Sequence, residues 1–251
     1  MKKIALVTGA AGGIGTAISE KFISEMDGLI LVDIDADKLD LVKKKIENKS
    51  SIVLATYCCD VGNFKQVSEL LNVAKIEIGV PTVLVNNAGI GGPFHRVDEV
   101  SDDEWYQIIN TNLKAIFNFA KILLPLMKHV SYGRIINIAS VQGFLGAALS
   151  STYVASKHGV IGYTRAIAVE WGAYGVTCNA ICPGYVNTVQ GVQDDKVKNH
   201  YESVIAKTPV GRVAQPSEIA NIVSYLVRDE TSFINGSVLT VDGGLTCHVG
   251  V

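Results

Sequence analysis

Short runs of β-branched and aliphatic residues alternate with longer stretches of helical periodicity along almost the whole 251-residue chain. Each short run is nearly continuously hydrophobic, as a strand must be when helices cover both faces of its sheet. Strands that alternate with helices in this way form parallel sheets. The pattern therefore predicts an α/β fold built on a doubly wound, seven-stranded parallel sheet.

The predicted elements leave no room for a second domain. Strands are expected at Ile4–Thr8, Leu29–Asp33, Ile52–Cys58, Thr82–Asn86, Arg134–Ala139, Val176–Cys182 and Val238–Val241. Helices are expected near 13–25, 36–48, 64–78, 102–128, 152–173 and 216–227. Ser101 and Glu104 form a capping box at one helix start, and Pro216 suits the first position of another. Because no repeat, low-complexity tract or Ser/Pro linker interrupts the series, we expect a single domain over residues 1–251.

Composition excludes several classes of protein. Lys and Arg total 22 against 24 Asp and Glu, so the formal charge of −2 gives no electrostatic basis for binding nucleic acid. No apolar run approaches the roughly 20 residues of a membrane span, and the first apolar run stops at Thr8-Gly9, too early for a signal peptide. The five cysteines form no Cys-x-x-Cys pair. We therefore expect a soluble, reduced, cytoplasmic protein that binds neither nucleic acid nor membranes.

The first predicted strand runs into a glycine-rich turn, Thr8-Gly9-Ala10-Ala11-Gly12-Gly13-Ile14-Gly15, and a helix follows. Glycines let backbone approach a pyrophosphate, whose charge then lies at a helix N-terminus. The spacing is Gly-x-x-x-Gly-x-Gly rather than Gly-x-Gly-x-x-Gly, and the absence of a following Lys excludes an ATP-type phosphate loop. The position between strand and helix favours a dinucleotide site, with a plain tight turn as the alternative.

Asp33 ends the second predicted strand, 18 residues after Gly15. A carboxylate at about this distance accepts hydrogen bonds from the adenosine ribose hydroxyls and repels a 2′-phosphate. It therefore favours NAD over NADP, although Asp33 or its neighbour Asp35 could also serve as a helix cap. Asp60-Val61 follows the third strand, where it would meet the adenine amine or cap a helix.

Five motifs in this order resemble the short-chain dehydrogenase/reductase family, from residue 4 to about 244. They are Thr8-Gly9-x-x-x-Gly13-x-Gly15, Asn86-Asn87-Ala88-Gly89, Ser140, Tyr153-x-x-x-Lys157 and Pro183-Gly184. Each motif alone is modest, but together at family-like spacing they are specific. The resemblance implies a Rossmann-like fold, hydride transfer between a nicotinamide cofactor and an alcohol or carbonyl, and, by family habit, a homotetramer.

Tyr153 and Lys157 are four residues apart in a predicted helix and therefore share one face. A free tyrosine titrates near ~10, and a nearby ammonium favours the phenolate. Lowering the pKa by about three units requires roughly 4 kcal/mol, which one cation and the cofactor's positive ring would supply. An ordinary amphipathic helix with a surface Lys is the alternative for the pair by itself.

The resemblance implies two further catalytic residues. Ser140 closes the fifth predicted strand and would polarise the substrate oxygen; Ser151 and Ser156 are competing hydroxyls, but neither ends a strand. Asn112, chosen over Asn110 by its spacing from Trp105, matches the family's helical asparagine, which organises a proton relay. The implied tetrad is Asn112, Ser140, Tyr153 and Lys157.

The resemblance also implies the remaining cofactor contacts. The stretch Asn87, Ala88 and Gly89 would border the adenosine pocket. Backbone at Pro183, Gly184 and Val186, with the Thr188 hydroxyl, would hold the nicotinamide carboxamide, and Tyr153 and Lys157 would meet the ribose. With Thr8, Gly9, Gly13, Ile14, Gly15, Asp33, Asp60 and Val61, these residues complete the predicted cofactor site.

Loops that follow the fourth, fifth and sixth strands are expected to supply the substrate pocket. They are Gly91–His95, Val141–Leu149 and Tyr185–Tyr201, and the stretch 185–207 is expected to act as a lid. The substrate contacts we predict are Ser140, Gln142, Phe144, Tyr153 and Tyr185, which give a mainly apolar pocket. The five histidines are scattered, so no metal site is expected.

These observations support one functional hypothesis and leave two alternatives open. The hypothesis is an NAD(H)-dependent oxidoreductase that interconverts a secondary alcohol and a ketone. The first alternative is a 3-oxoacyl-(acyl carrier protein) reductase using NAD(P)H, and the second is a catalytically silent NAD-binding regulatory protein. Small-molecule substrate and cofactor are the expected partners, and the apolar C-terminal segment Phe233–Leu245 is compatible with a subunit interface.

Overall fold

A computed structural model describes residues 2–188 and 202–247 of the chain. Within them, seven parallel strands form one sheet in the order β3-β2-β1-β4-β5-β6-β7. The strands are β1 Ile4–Thr8, β2 Gly28–Asp33, β3 Val53–Cys58, β4 Val83–Asn86, β5 Gly133–Ile138, β6 Val176–Pro183 and β7 Val238–Val241. The order reverses between β1 and β4, which opens a crevice at the carboxyl ends of these central strands.

Seven α-helices lie with both ends inside the described part of the chain. They are α1 Gly13–Phe22, α2 Ala36–Glu47, α3 Phe64–Glu77, α4 Asp102–Ile109, α5 Ala115–His129, α6 Ser151–Trp171 and α7 Pro216–Leu226. Residues 202–207 are also helical. Helices α1, α2 and α7 cover one face of the sheet, and α3, α5 and α6 cover the other. The sheet is therefore buried on both faces, and every residue of β1, β4, β5 and β6 is inaccessible to solvent or nearly so.

Two apolar layers hold this arrangement together. On one face Phe119 and Leu123 of α5 pack over Leu6 and Leu84. On the other, Ile18 and Phe22 of α1 pack over Val7 and Leu31. The predicted α/β class, doubly wound sheet and seven strands are confirmed.

The predicted element bounds agree closely with the structure, with one informative exception. The sequence predicts a single helix near 102–128, but a π-helical turn at Asn110–Lys114 separates α4 from α5. A π-turn inserts one extra residue per turn, so it rotates the side chains that follow it. This turn contains Asn112, one of the predicted catalytic residues.

Several expectations concern other parts of the chain. No helix in the described residues is long and apolar enough to cross a membrane. All five cysteines carry free thiols, and Cys178 and Cys182 are buried in β6. Most of the predicted lid, residues 189–201, lies outside the described residues.

Candidate active site

The turn between β1 and α1 is closed so tightly that glycine is required in it. Gly9 has a φ of +62°, and a Cβ on Gly15 would collide with the Gly9 carbonyl oxygen. Asn87, which follows β4, donates from Nδ2 to the carbonyl oxygens of Thr8 and Gly9 at 3.0 Å each. The Thr8 hydroxyl accepts from the backbone N–H groups of Asn87 and Ala88 at 3.0 and 3.1 Å. Hydrogen bonds between the end of β1 and the residues that follow β4 therefore hold the loop in place.

Asp33 lies beside this loop at the end of β2. Its Oδ2 accepts from the Ala11 N–H at 2.8 Å, and its Oδ1 accepts from the Asp35 N–H at 3.1 Å. Asp35 caps α2 and pairs with Lys38, whose Nζ lies 2.8 Å from Asp35 Oδ2. The capping role that the sequence left open thus belongs to Asp35, and Asp33 faces the loop.

A cleft of about 580 Å³ extends along the carboxyl ends of the central strands. Its walls contain most of the predicted cofactor residues: Gly9, Gly13, Ile14, Asp33, Asp60, Val61, Asn87, Ala88, Gly89 and Thr188. Ala11, Gly12, Ile34, Asp35, Lys38, Cys59, Ile90, Gln107 and Thr111 also line it, and the sequence did not indicate them as contacts. Gln107 and Thr111 were missed because they lie on α4 and on the π-turn after it, which no nucleotide-binding motif includes.

The segment after β6 closes one end of the cleft. Val186 forms a parallel bridge with Ala214, and Gly184 packs so closely on Asp242 that a Cβ would lie 2.9 Å from the Asp242 Cβ. Thr188 reaches the glycine loop, since a Cβ on Gly13 would lie 3.1 Å from the Thr188 Cα. The two loops are thus adjacent, although 175 residues of chain separate them.

Tyr153 and Lys157 project from one face of α6, as their spacing predicts. Lys157 is only 4% exposed, and its Nζ donates to the Ile138 carbonyl oxygen at 2.9 Å. The same Nζ lies 5.6 Å from the centre of the Tyr153 ring. A buried lysine beside a half-buried phenol at the end of β5 is an arrangement suited to proton transfer.

The protonation of this pair differs from the sequence-based expectation. Burial raises the pKa of the Tyr153 phenol above its usual value, and the side-chain interaction with Ser140 only partly opposes it. Burial also lowers the pKa of Lys157 to about 8. Among the groups of this chain, desolvation of the phenol is the largest influence on the Tyr153 pKa and raises it. The predicted depression also relies on the cofactor's positive ring, and it stays a prediction for the complex with the cofactor.

Ser140 stands two residues beyond the end of β5. It caps a short 3₁₀ turn, Val141–Gly143, and its Oγ accepts from the Gln142 N–H at 3.1 Å. The turn packs against α6, where a Cβ on Gly143 would lie 3.0 Å from the Lys157 carbonyl oxygen. This contact holds the Ser140 hydroxyl on the Tyr153 side of the sheet edge.

Asn112 occupies the middle of the π-turn and is 1% exposed. Its Oδ1 accepts from the Ile90 N–H at 2.8 Å, and its Nδ2 donates to the Ile90 carbonyl oxygen at 2.9 Å. A Cβ on Gly89 would lie 3.3 Å from Asn112 Oδ1 and 3.5 Å from Lys157 Nζ. All four residues of the predicted tetrad are therefore placed around the carboxyl ends of β4 and β5.

The predicted substrate contacts do not all line one pocket. Gln142 follows Ser140, and its buried Oε1 has no hydrogen-bond partner in the described residues. Phe144 lines a separate groove with His158 and Arg165, and Tyr185 lines a small pocket with Arg212 and Val241. Leu149, Ser150 and Thr152 line a recess that includes Tyr153 itself. No cluster of three or more potential metal ligands exists among residues 2–188 and 202–247.

Comparison with known proteins agrees with this geometry. The family model described as enoyl-(acyl carrier protein) reductase matches residues 9–246. An acetoacetyl-CoA reductase of Shinella zoogloeoides is 39% identical over 97% of this chain and 98% of its own length. A 3-oxoacyl-[acyl-carrier-protein] reductase of Thermotoga maritima is 35% identical over 97% of each chain.

Solved structures show the same architecture. An actinorhodin polyketide ketoreductase crystallised with NADPH superposes with a TM-score of 0.90 at 32% identity, covering 98% of both chains. Levodione reductase superposes equally well, with a TM-score of 0.90 at 30% identity and the same coverage.

The fold, the site and these matches define a class of enzyme that uses a nicotinamide cofactor. The chain belongs to the short-chain dehydrogenase/reductase family and is an oxidoreductase of that family.

Proposed function

We propose that this protein is an NAD(H)-dependent oxidoreductase that interconverts a secondary alcohol and a ketone. The observation that carries the proposal is the buried Lys157 next to Tyr153, beside Ser140 and Asn112, at the edge of a cleft built on a glycine loop. Hydride chemistry belongs to the cofactor, and such a site contributes orientation, proton transfer and exclusion of water.

The residues of the cleft fit a dinucleotide. Side chains on the glycine loop would fill the space beside Asn87 and Thr188, and backbone N–H groups at the start of α1 suit a pyrophosphate. Asp33 and Asp60 would hold the adenosine end, while Tyr153, Lys157 and the Pro183–Thr188 segment would hold the nicotinamide end. When bound, the nicotinamide ring supplies or accepts the hydride.

The preference for NAD rests on charge at the adenosine end. Asp33 and Asp35 both line the cleft, and the one lysine among its described lining residues, Lys38, is paired with Asp35. A 2′-phosphate on the ribose would approach two carboxylates and find that cation already engaged. The ribose hydroxyls, in contrast, would be good donors to Asp33.

The roles of the tetrad follow from their surroundings. Ser140 would hold the substrate oxygen toward Tyr153. Because burial raises the pKa of Tyr153, the phenol keeps its proton at neutral pH and suits the acid role in ketone reduction. Lys157 would bind the cofactor ribose and stabilise the phenolate left after proton donation, and Asn112 would organise the path that restores the proton.

Two alternatives remain. A 3-oxoacyl thioester as substrate is supported by the named activities of the relatives at 39% and 35% identity. A catalytically silent regulator that only binds the cofactor is the other. We further propose a cytoplasmic location, which the five free thiols support, and a homotetramer, as the family resemblance implies.

One assay separates these possibilities. Purified protein is tested with NADH and NADPH against acetoacetyl-CoA, a 3-oxoacyl carrier-protein thioester and a panel of simple ketones, with NAD⁺ and secondary alcohols for the reverse direction. We expect NADH-linked turnover of simple ketones. Turnover of the thioesters alone would favour the reductase alternative, and no turnover with cofactor binding intact would favour the silent regulator.

The cofactor assignment is tested by Asp33→Ala. We expect the ratio of kcat/KM for NADH to that for NADPH to fall at least tenfold, since the ribose acceptor and the repulsion of the 2′-phosphate are both lost. Asp37→Ala is the matched control, because Asp37 is an exposed acid in the first turn of α2 and does not line the cleft. An unchanged ratio in Asp33→Ala would refute the assignment.

A further inference from the structure

We propose that Ser156 is a positioning residue, which ties the turn that carries Asn112 to the helix that carries Tyr153 and Lys157. The inference rests on the proposed function, since it assigns a task within the same catalytic site. The sequence offered Ser156 only as a competitor of Ser140, and it was set aside there because it does not end a strand.

The structure gives the Ser156 hydroxyl two specific partners. Ser156 is completely buried, and its Oγ accepts from Asn112 Nδ2 at 3.1 Å while donating to the Tyr153 carbonyl oxygen at 2.7 Å. With the Ile90 contacts, every hydrogen on the Asn112 amide is engaged. The Asn112 carboxamide is thus fixed in both position and orientation.

This connection matters because Asn112 and Lys157 come from different elements. They meet over Gly89, where Asn112 Oδ1 and Lys157 Nζ flank the same point. Asn112 sits in a π-turn, whose backbone hydrogen bonding is less regular than that of an α-helix. A hydrogen bond from this turn to α6, one residue from Lys157, sets how far apart the two polar groups lie.

Removing the hydroxyl leaves a buried N–H of Asn112 without an acceptor. A buried unsatisfied donor is costly, so the carboxamide is expected to turn or the π-turn to shift until a partner is found. Proton transfer within the site should then slow, while cofactor contacts made by the glycine loop stay intact. The expected signature is a loss in kcat with little change in the KM for the cofactor.

Thr164 provides a matched control on the same helix. It is also completely buried, its Oγ1 donates to the Val160 carbonyl oxygen at 2.8 Å, and it accepts from Asn137 Nδ2 at 2.9 Å. The two hydroxyls thus share burial, helix and type of partner. Thr164→Val therefore has a comparable structural cost but leaves the Asn112 turn untouched.

The experiment compares Ser156→Ala, Ser156→Thr and Thr164→Val in kcat, KM and the pH profile of kcat. We expect Ser156→Ala to lose about tenfold in kcat, with a shifted pH profile and a cofactor KM within twofold of the wild type. Ser156→Thr, which keeps a hydroxyl, should recover most of the rate, and Thr164→Val should stay within twofold. Wild-type kcat and pH profile in Ser156→Ala, or an equal loss in Thr164→Val, would overturn the inference.

A crystal structure of Ser156→Ala keeps the two proposals separable. If the wild type turns over none of the panel, the proposed function fails, yet the structure still reports on Asn112. A displaced or rotated carboxamide supports the positioning role of Ser156. An Asn112 side chain that is unmoved, with both Ile90 hydrogen bonds retained, refutes it whatever the activity.

Discussion

At the scale of single residues, the site is governed by burial. The end of β5 and the turn after Ser140 bury Lys157 and partly bury Tyr153. Desolvation acts on each side chain in the direction of its neutral form. A lysine whose pKa is lowered to about 8 is unusual on a protein surface, where lysines titrate at ~10.4. The chemistry we propose depends on this desolvation as much as on the identity of the two residues.

The proton role of Tyr153 makes one clear prediction. Tyr153→Phe removes the ionisable hydroxyl but keeps the ring and its packing, so kcat for ketone reduction should fall by about 10²–10⁴. Cofactor affinity, measured by fluorescence titration with NADH, should change by less than a few fold. A variant that retains more than a tenth of the wild-type kcat would contradict the acid role.

The buried Lys157 should also cost stability. Below pH 8 the lysine is charged in both states, so the full burial cost applies; between pH 8 and about 10.5 the unfolded chain binds more protons, and stability rises with pH. The lowered pKa of Lys157 corresponds to a burial cost of roughly 3 kcal/mol in the folded state. Replacing the lysine removes this cost but also loses its hydrogen bond to Ile138, which is worth about 1 kcal/mol. Lys157→Met should therefore be inactive yet more stable at pH 7 by about 1–2 kcal/mol.

Urea denaturation at pH 7 and pH 10 checks this expectation. The gain in unfolding free energy of Lys157→Met over the wild type should shrink or vanish at pH 10, because the wild-type lysine is then neutral in the folded protein. Lys75→Met, at an exposed position of α3, serves as the control and should show no such pH dependence. A destabilised Lys157→Met at pH 7 would show that packing, rather than charge burial, governs this position.

At the scale of elements, the turn between β1 and α1 is the most constrained part of the fold. Its geometry is set by Asn87 after β4, by Asp33 at the end of β2 and by the segment after β6, so three other parts of the chain shape it at once. Gly15 lies inside α1, where its Cα packs against the Gly9 carbonyl. The glycines of this loop therefore differ in whether a residue with a side chain can replace them.

Two alanine substitutions test that inequality. Gly15→Ala places a Cβ into the Gly9 carbonyl oxygen, so we expect a loss of several kcal/mol or failure to fold. Gly12→Ala meets only an ordinary contact at 3.4 Å, and its backbone, at φ −75° and ψ 164°, suits any residue. Its unfolding free energy should stay within about 1 kcal/mol of the wild type. Equal stability of the two variants in urea would disprove this account of the turn.

At the scale of the whole molecule, one apolar groove faces outward along α5 and α6. Leu113, Phe117 and Tyr163 line it together with Gly162 and Ala166, and Phe117 is 43% exposed. Exposed apolar surface next to small residues suits close packing of helices from another subunit. The homotetramer we propose would cover it.

Gly162→Glu tests this surface without disturbing the monomer. No atom lies within 4 Å of a Cβ at Gly162, and glutamate favours a helix more than glycine does. The wild type should have four times the 26.8 kDa mass of the chain in light scattering, and the variant a smaller mass with its helix content retained. Gly146→Glu, equally unobstructed but outside the groove, should remain tetrameric. A tetrameric Gly162→Glu would exclude this groove as an interface.

The sequence by itself determined the order of strands and helices, because continuous hydrophobic runs and helical periods record which segments are buried on both faces. The shared helix face of Tyr153 and Lys157 was equally predictable, since residues four apart lie about one helical turn apart. Only the tertiary structure decided the π-turn at Asn112, the partners of Ser156 and the sense of the pKa shift at Tyr153. Each of these depends on desolvation and on hydrogen-bond partners far away in the chain, which meet only once the sheet has formed.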